Sequence, residues 1–539
     1  MTADHDLPET IPATLARAVE RYGSSEALVD ESLRLDYPTL AARVDEAARG
    51  LIASGIVPGD RVGIWAPNIA EWVIASLAVH TTGAAVVTLN TRFKGHEAAY
   101  ILEKSGARML LTVNGFLGFD YVAMLREAGV PATLEEIVVL RGDLPEGTTA
   151  WQDLLDRSDR TEADAARARA AAIGPDDLSD ILFTSGTTGK PKGAMLRHGA
   201  SVRAYDTWAD VVGLQHGDRY LIVNPFFHAF GLKAGILASL IKGATIIPHA
   251  VFDVPSVMQR VAEERVSMLP GPPAIYQTIL DHPDLASFDL STLRLAVTGS
   301  ATVPVEMIRR MRRELPFQNI VTGYGLTETH GISTMCRHDD DDETIAYTAG
   351  RPIPGMELRI VDDKGHDLAV GRPGEVLLRG YNLMTGYYDE PEATAATISD
   401  DGWLATGDIG VVDDRGNLRI TDRSKDMFIT GGFNAYPAEI ENILMNHPGI
   451  GQVAVIGVPD HRMGEVGMAW VVPRSGVQLD PDEIIAWARE NMANFKAPRR
   501  VAIVDALPLN ASGKVLKFEL RTMAADGPPS AESPATPAP

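Results

Sequence analysis

Residues 180–196 read DILFTSGTTGKPKGAML, an apolar strand-like run that empties into ten residues holding three glycines, three threonines, a serine and two lysines. Such a composition suits an anion: glycine lets backbone N–H groups approach phosphate oxygens, hydroxyls donate hydrogen bonds and lysines add charge. The stretch therefore reads as a phosphate-holding loop at a strand end. Two rival readings fail on spacing. A P-loop needs four residues between its first glycine and a Gly-Lys pair followed by Ser or Thr; here only Thr187 and Thr188 separate Gly186 from Gly189-Lys190, and Pro191 occupies the hydroxyl position. A hydrolase elbow, G-x-S-x-G, needs glycine where Phe183 stands before Ser185.

Upstream of the loop, residues 12–170 alternate helical and extended patterns. A helix stops at Tyr22-Gly23, another spans 37–51, and strands at 61–65, 84–88 and 109–113 are separated by helices at 72–79 and 97–102. That alternation predicts a doubly wound parallel sheet, whose strand ends are the usual place for ligands. Downstream, YLIVNPFFHAFG at 220–231 gathers bulky rings around His228 ahead of an apolar helix at 234–240. On residue type alone, a histidine in an aromatic cluster is more often a core residue than a functional one. SMLPGPP at 267–273 and LAVTGSA at 295–301 read as strand ends with tight turns. VTGYGLTE at 321–328 then sets a ring, a hydroxyl and a carboxylate just after a strand.

From Gly350 onward, short strands at 358–361, 375–379 and 403–408 with glycine turns predict a β-rich subdomain. The polar crossing RITDRSKD at 419–426 marks the main boundary, after which strands and helices alternate to about Met523. The Pro-, Ala- and Ser-rich end has no core-forming residues and is expected to be disordered. The chain of 539 residues exceeds what one hydrophobic core supports. A net charge of -23 argues against nucleic acid as a partner, because phosphate backbones need a basic face. The single cysteine, Cys336, excludes an internal disulfide framework and a multi-cysteine zinc site. The first residues, MTADHDLPET, are acidic where a secretory signal is basic, and no run approaches the ~18 apolar residues of a membrane span. The expectation is a cytoplasmic protein without integral membrane association. Its oligomeric state is open, a homodimer included.

Taken together, TSGTTGKPKG at 184–193, YGLTE at 324–328, TGD at 406–408, DRSKD at 422–426, GGFNAYPAEIE at 431–441 and LPLNASGK at 507–514 resemble the adenylate-forming superfamily of acyl-CoA synthetases, firefly luciferase and peptide-synthetase adenylation domains. Six blocks in order over most of the chain are far more specific than any one. The resemblance implies an α/β fold: a large N-terminal region of doubly wound mixed sheets plus a β-rich subdomain, followed by a small mobile α+β C-terminal domain. The implied division is 1–422, a hinge at 423–425, 426–524, and a tail at 525–539. Within the superfamily, NPFFHAFGLKAGIL at 224–237 and LPGPPAIYQTILDHP at 269–283 are similar to actinobacterial fatty-acyl-CoA synthetase-type ligases of steroid ring catabolism. That likeness implies a steroid-derived bicyclic dione propanoate as the carboxylic acid; a medium- or long-chain fatty acid or an aromatic acid is the alternative.

The resemblance also implies roles, with ATP, Mg²⁺ and coenzyme A as co-substrates. Thr184, Ser185, Gly186, Thr187, Thr188 and Gly189 would wrap the β- and γ-phosphates beside Lys192. Tyr324, between Gly323 and Gly325, would stack on adenine opposite Gly299, Ser300 and Ala301, with Thr327 at the α-phosphate. Glu328 would ligate Mg²⁺, while Asp408 and Arg423 would hold the ribose. Lys514 would reach the reacting carboxylate, Lys425 would be the hinge, and Gly431, Gly432 and Phe433 would line the pantetheine tunnel. Phe227, His228, Phe230, Gly271, Tyr276 and Gly323 would form the acyl wall, with His228 at its mouth. An enzyme that loads a carrier protein and a regulator that binds nucleotide without catalysis are the rival functions.

Overall fold

The computed structural model describes residues 7–184, 191–299, 303–423, 426, 428–430, 433–435, 437–460, 463–492, 494, 496–509 and 515–526. Residues 185–190 of the expected phosphate loop, Ser300, Ala301, the hinge Lys425, Gly431, Gly432, Lys514 and most of the tail lie outside them. A seven-stranded sheet runs, edge to edge, Thr149–Ala150, Glu136–Arg141, Met109–Val113, Arg61–Trp65, Ala85–Thr88, Leu178–Thr184 and Lys192–Arg197. All neighbours pair in parallel except the last two, whose antiparallel register sets Thr184 opposite Lys192. Central strands such as Met109–Val113 are buried along their whole length, as apolar runs covered by helices on both faces must be. The helix Ala70–Thr81, every residue of which but Glu71 is buried, is one of those covers.

A second sheet is built from two four-stranded ladders. One runs Leu33–Asp36, Glu26–Asp30, Thr245–Pro248, Arg219–Ile222; the other runs Leu295–Gly299, Asn319–Tyr324, Thr334–Met335, Arg351–Pro352. Between them stands Met268, which bridges Tyr220 on one side and Leu295 on the other. The expected strand end at 267–273 contracts to this bridge, since Pro270, Pro272 and Pro273 have no N–H for a ladder. A third sheet, Met356–Val361, Gly374–Gly380, Leu404–Val412 and Leu418–Arg423, is antiparallel throughout. The carboxy-terminal sheet orders Phe433–Ala435, Phe428–Thr430, Gly464–Pro473 and Ile450–Asp460, with Arg500–Ile503 parallel to Gly464–Pro473. Its cores are its own, around Phe428, Ile440 and Leu444 on one side and Ile456, Met468 and Trp470 on the other. Among the described residues, no helix is long and apolar enough to cross a membrane.

One element departs from its expected form. The apolar helix expected at 234–240 is a π-helix, Phe230–Leu237, that passes into the α-helix Ala238–Lys242. Gly231 explains part of the local path: a Cβ there would stand 2.1 Å from the Pro225 carbonyl oxygen. Hydrophobic spacing could not distinguish the two helix types, because residues 231–237 are buried all round.

Two core histidines make stability depend on pH. His198 opens the helix His198–Val212, and burial, reinforced by the nearby His80, lowers it to about 3. His330 accepts from the Arg197 N–H through Nε2 at 3.2 Å and faces the Asn382 carbonyl through Nδ1 at 2.7 Å; burial lowers it to about 4. Both folded values lie below the ordinary 6.5, so on acidification the unfolded chain takes up protons first. Stability is therefore complete above that value and falls as pH drops through the window, by roughly 1.4 kcal/mol per pH unit for each group. Urea midpoints should decline steadily between about pH 6.5 and pH 4; a flat profile would show that neither histidine is held neutral.

Candidate active site

The strand Asn319–Tyr324 and its parallel neighbour Leu295–Gly299 end side by side, with Gly299 in register with Gly323. Gly299 has φ +153 and lies so near the Gly323 carbonyl that a Cβ would meet its oxygen at 3.3 Å. Small residues keep this double strand end open. Tyr324 leaves it and donates its hydroxyl to Asp408 Oδ2 at 2.6 Å. Asp408, 4% exposed, is placed by a bulge within the strand Leu404–Val412: Gly407 has φ +68, and the Asp408 N–H donates to Thr406 Oγ1 at 3.1 Å. In the backbone register Asp408 stands across from Arg423. The ring, the carboxylate and the strand of the expected ribose contact are thus brought to one place.

Glu328 sits in the 3₁₀ turn Thr327–Thr329 that follows. Its carbonyl accepts from the Met384 N–H at 2.7 Å, and its carboxylate Oε1 accepts from the Tyr387 hydroxyl at 2.7 Å. Lys192 Nζ lies 5.1 Å from the centre of the Tyr387 ring. Burial first, and then the Glu328 charge, push the Tyr387 hydroxyl above its ordinary range, so it remains a donor. Tyr387 therefore connects the cation at the foot of the phosphate loop to the expected metal ligand. Among the described residues no three His, Cys, Asp or Glu side chains group to hold a metal. A single carboxylate instead fits Mg²⁺ carried in by ATP, an ion that takes one carboxylate with phosphate oxygens and waters.

On the other side, Phe226 is buried, Phe227 and Phe230 are half-buried, and Phe230 packs edge-on to Trp208 at 5.9 Å. His228 reaches solvent, yet desolvation by surrounding protein holds its imidazole below the usual range, as at the lip of a cleft. Gly271 is buried and donates its N–H to the Val297 carbonyl at 2.9 Å. Tyr276 is fully buried, its hydroxyl donating to the Leu269 and Val297 carbonyls and its ring meeting Phe317 at 5.9 Å. Its polar end is committed to fixing those strand ends. Ser185 to Gly189, Ser300, Ala301, Lys425, Gly431, Gly432 and Lys514 lie outside the described residues; Phe433 stands opposite Thr430 in a short hairpin.

Comparison with known proteins bears on this arrangement. The family model described as AMP-binding enzyme matches residues 15–388, and that of the AMP-binding enzyme C-terminal domain matches residues 439–514. The chain belongs to the AMP-binding enzyme family. It is 52% identical to the 3-[(3aS,4S,7aS)-7a-methyl-1,5-dioxo-octahydro-1H-inden-4-yl]propanoyl:CoA ligase of Mycobacterium tuberculosis, over 95% of this chain and 99% of that one. The ligase of the same name from Rhodococcus jostii is 49% identical, over 96% and 99%. Among solved structures, the anthranilate CoA ligase AuaEII in complex with anthranoyl-AMP matches with a TM-score of 0.88 and 28% identity, over 97% of this chain and 99% of that one.

Within this AMP-binding enzyme, three residues near Glu328 were not singled out from the sequence. Tyr387 holds the carboxylate; His330 ties the turn to Arg197; Asn382 donates to the Thr329 carbonyl at 3.0 Å. The Tyr387 partnership spans 59 positions, and no local spacing could announce it. Tyr387→Phe removes one hydrogen bond to a charged group while keeping the ring under Lys192. Adenylate formation at subsaturating MgATP should fall about tenfold, the worth of one such bond, with an unchanged thermal midpoint. Unaltered MgATP dependence would remove Tyr387 from the site.

Proposed function

We propose that this AMP-binding enzyme is an AMP-forming acyl-CoA ligase whose acid is a steroid-derived bicyclic dione propanoate. The observation that carries the reading is the near-full-length similarity, at 52% and 49% identity, to two ligases named for that acid. The site geometry supports the reaction class. A carboxylate is a poor electrophile and must first exchange its oxyanion for a leaving group. Its oxygen attacks the α-phosphorus of ATP, the bond to pyrophosphate breaks, and the acyl-adenylate remains. The CoA thiolate then attacks the acyl carbon, and AMP leaves with the pair of electrons from the C–O bond. Positioning and charge compensation lower both barriers.

Thr184, Ser185, Gly186, Thr187, Thr188 and Gly189, with Lys192, hold the departing pyrophosphate. Tyr324 and the segment around Gly299, Ser300 and Ala301 enclose adenine. Asp408, with Arg423, holds the ribose, and Thr327 contacts the α-phosphate. Glu328, oriented by Tyr387, would hold Mg²⁺, which supplies charge neutralisation along the phosphates. Lys514 brings a positive charge to the meeting of two anions. Phe227, His228, Phe230, Gly271 and Gly323 border the acyl group, with Tyr276 bracing the strand end behind Gly271. A rotation about Lys425 between the two steps withdraws Lys514 and brings Gly431, Gly432 and Phe433 to the pantetheine path.

The test is thioester formation with ATP and CoA across the bicyclic dione propanoate, octanoate and an aromatic acid, followed by mass. The bicyclic acid should lead in kcat/KM by about tenfold or more, the range that pocket shape supplies. Equal or better turnover of octanoate would move the assignment to fatty acids, and no ATP-dependent thioester from any acid would end the ligase reading.

A further inference from the structure

Asp180 and Lys233 are both fully buried, and the Lys233 ammonium donates to Asp180 Oδ2. The same carboxylate accepts from Ser179 Oγ at 2.5 Å and faces His80 Nε2 at 3.1 Å through Oδ1. Burial alone would raise this carboxyl, but the Lys233 charge, with the contact to His80, holds it well below the usual range. The reaction outlined above uses none of these groups. Their location is informative: Asp180 lies on the strand Leu178–Thr184, which delivers the phosphate loop, and Lys233 lies inside the π-helix Phe230–Leu237, just after His228.

A π-helix is a disfavoured local form and needs a cause. Burial cannot fix the rotation of this one, since residues 231–237 are covered on every side and any apolar face would pack as well as another. A directional bond can. Gly235 lets the helix approach Ile222, where a Cβ would meet side-chain carbons at 3.0 Å, and Lys233 is the one charged residue in the segment. If the segment relaxed to α-helical spacing, side chains on the N-terminal side of the pin would turn by about 100° relative to those after it, the angle of one helical residue. Phe230 and His228 are on that side. Buried ion pairs are poor stabilisers compared with well-packed apolar pairs, and their best-attested use is to fix register.

We propose that the Lys233–Asp180 pair is a positioning device: it locks the π-helical register to the phosphate-loop strand, sets the distance from acyl wall to phosphates, and thereby selects a bulky ring acid over a linear one. This rests on the reading that Phe230 and His228 border the acyl site. The experiment replaces the pair by apolar side chains, Asp180→Leu with Lys233→Met, and compares it with Lys233→Met alone. The single variant leaves a buried carboxylate short of its main partner and should unfold at lower urea. The double variant should regain most of that loss, because neither charge remains. Its KM for ATP should stay within about twofold, while the ratio of kcat/KM for the bicyclic acid over octanoate falls by about tenfold.

A double variant of parental stability and parental acid ratio would reduce the pair to packing and overturn the proposal. An equal loss for ATP and both acids would overturn it as well. Should the double variant not fold, Lys233→Arg keeps the charge but widens the pin, and the same shift in acid ratio at parental ATP KM decides the matter. The parent enzyme is assayed first: thioester from neither acid would refute the ligase reading itself, a result distinct from an unshifted ratio in the variants.

Discussion

Lys514→Ala should lower acyl-adenylate formation by about a thousandfold, the scale of losing one well-placed charge donor in the transition state. It should leave thioester formation from supplied acyl-adenylate and CoA nearly intact. The reason lies in the first step, where a carboxylate approaches a polyphosphate and both are anions. The net charge of -23 provides no general attraction for either, so compensation must be local. Lys514 comes from the C-terminal region, within NASGK at 510–514, and the second step has no comparable meeting of anions. ATP–pyrophosphate exchange reports the first half-reaction, and single-turnover thioester formation reports the second. Equal loss in both would make Lys514 a general structural or binding residue.

Asp408→Ala should damage both halves. Asp408 is 4% exposed, and its carboxylate accepts from Tyr324 at 2.6 Å while facing the expected ribose. ATP and AMP share that ribose, so the contact persists through the whole cycle. Two hydrogen bonds to a carboxylate amount to roughly 3–6 kcal/mol, or about 10²- to 10⁴-fold in kcat/KM for ATP. Asp408→Asn should recover part of this, and Tyr324→Phe, which keeps the ring, should cost far less. The contrast with Lys514 is the informative part: a ribose contact slows both assays, a carboxylate contact only one. If Asp408→Ala spared thioester formation from acyl-adenylate, its carboxylate would not hold the sugar.

Much of this was legible in the residues because local rules governed it. The strand at 61–65 and that at 109–113 emerge as expected, since runs buried on both faces and bounded by turns have few alternatives. Gly23, with φ 50, ends the first helix as Tyr22-Gly23 suggested. Tyr324 and Asp408 were each singled out, and the structure joins them although 84 positions separate them. What stayed hidden depends on long-range partners or on directionality within uniformly apolar sequence. Tyr387 gains meaning only from Glu328, Lys233 only from Asp180, and the π-helical form of Phe230–Leu237 has no periodic signature. Tyr276 entered the expected acyl wall through the resemblance alone; that its hydroxyl donates to the Leu269 and Val297 carbonyls had no local signal.

The Met268 bridge has a consequence for the placement of the site. The ladder ending in Arg219–Ile222 leads into the aromatic segment at 226–230, whereas the ladder beginning at Leu295–Gly299 carries Gly299, Gly323 and Tyr324. The two meet along a seam in which Pro270 has no N–H to contribute. The seam is nonetheless bonded on both sides: the Leu221 N–H donates to the Met268 carbonyl at 3.1 Å, and the Leu269 and Gly271 N–H groups donate to the Leu295 and Val297 carbonyls at 3.2 and 2.9 Å. The aromatic segment of the expected acyl wall thus leaves one ladder, while Gly323, expected in the same wall, and Tyr324 leave the other, so the expected acid site would straddle the seam and the expected adenine contacts would keep to one side of it.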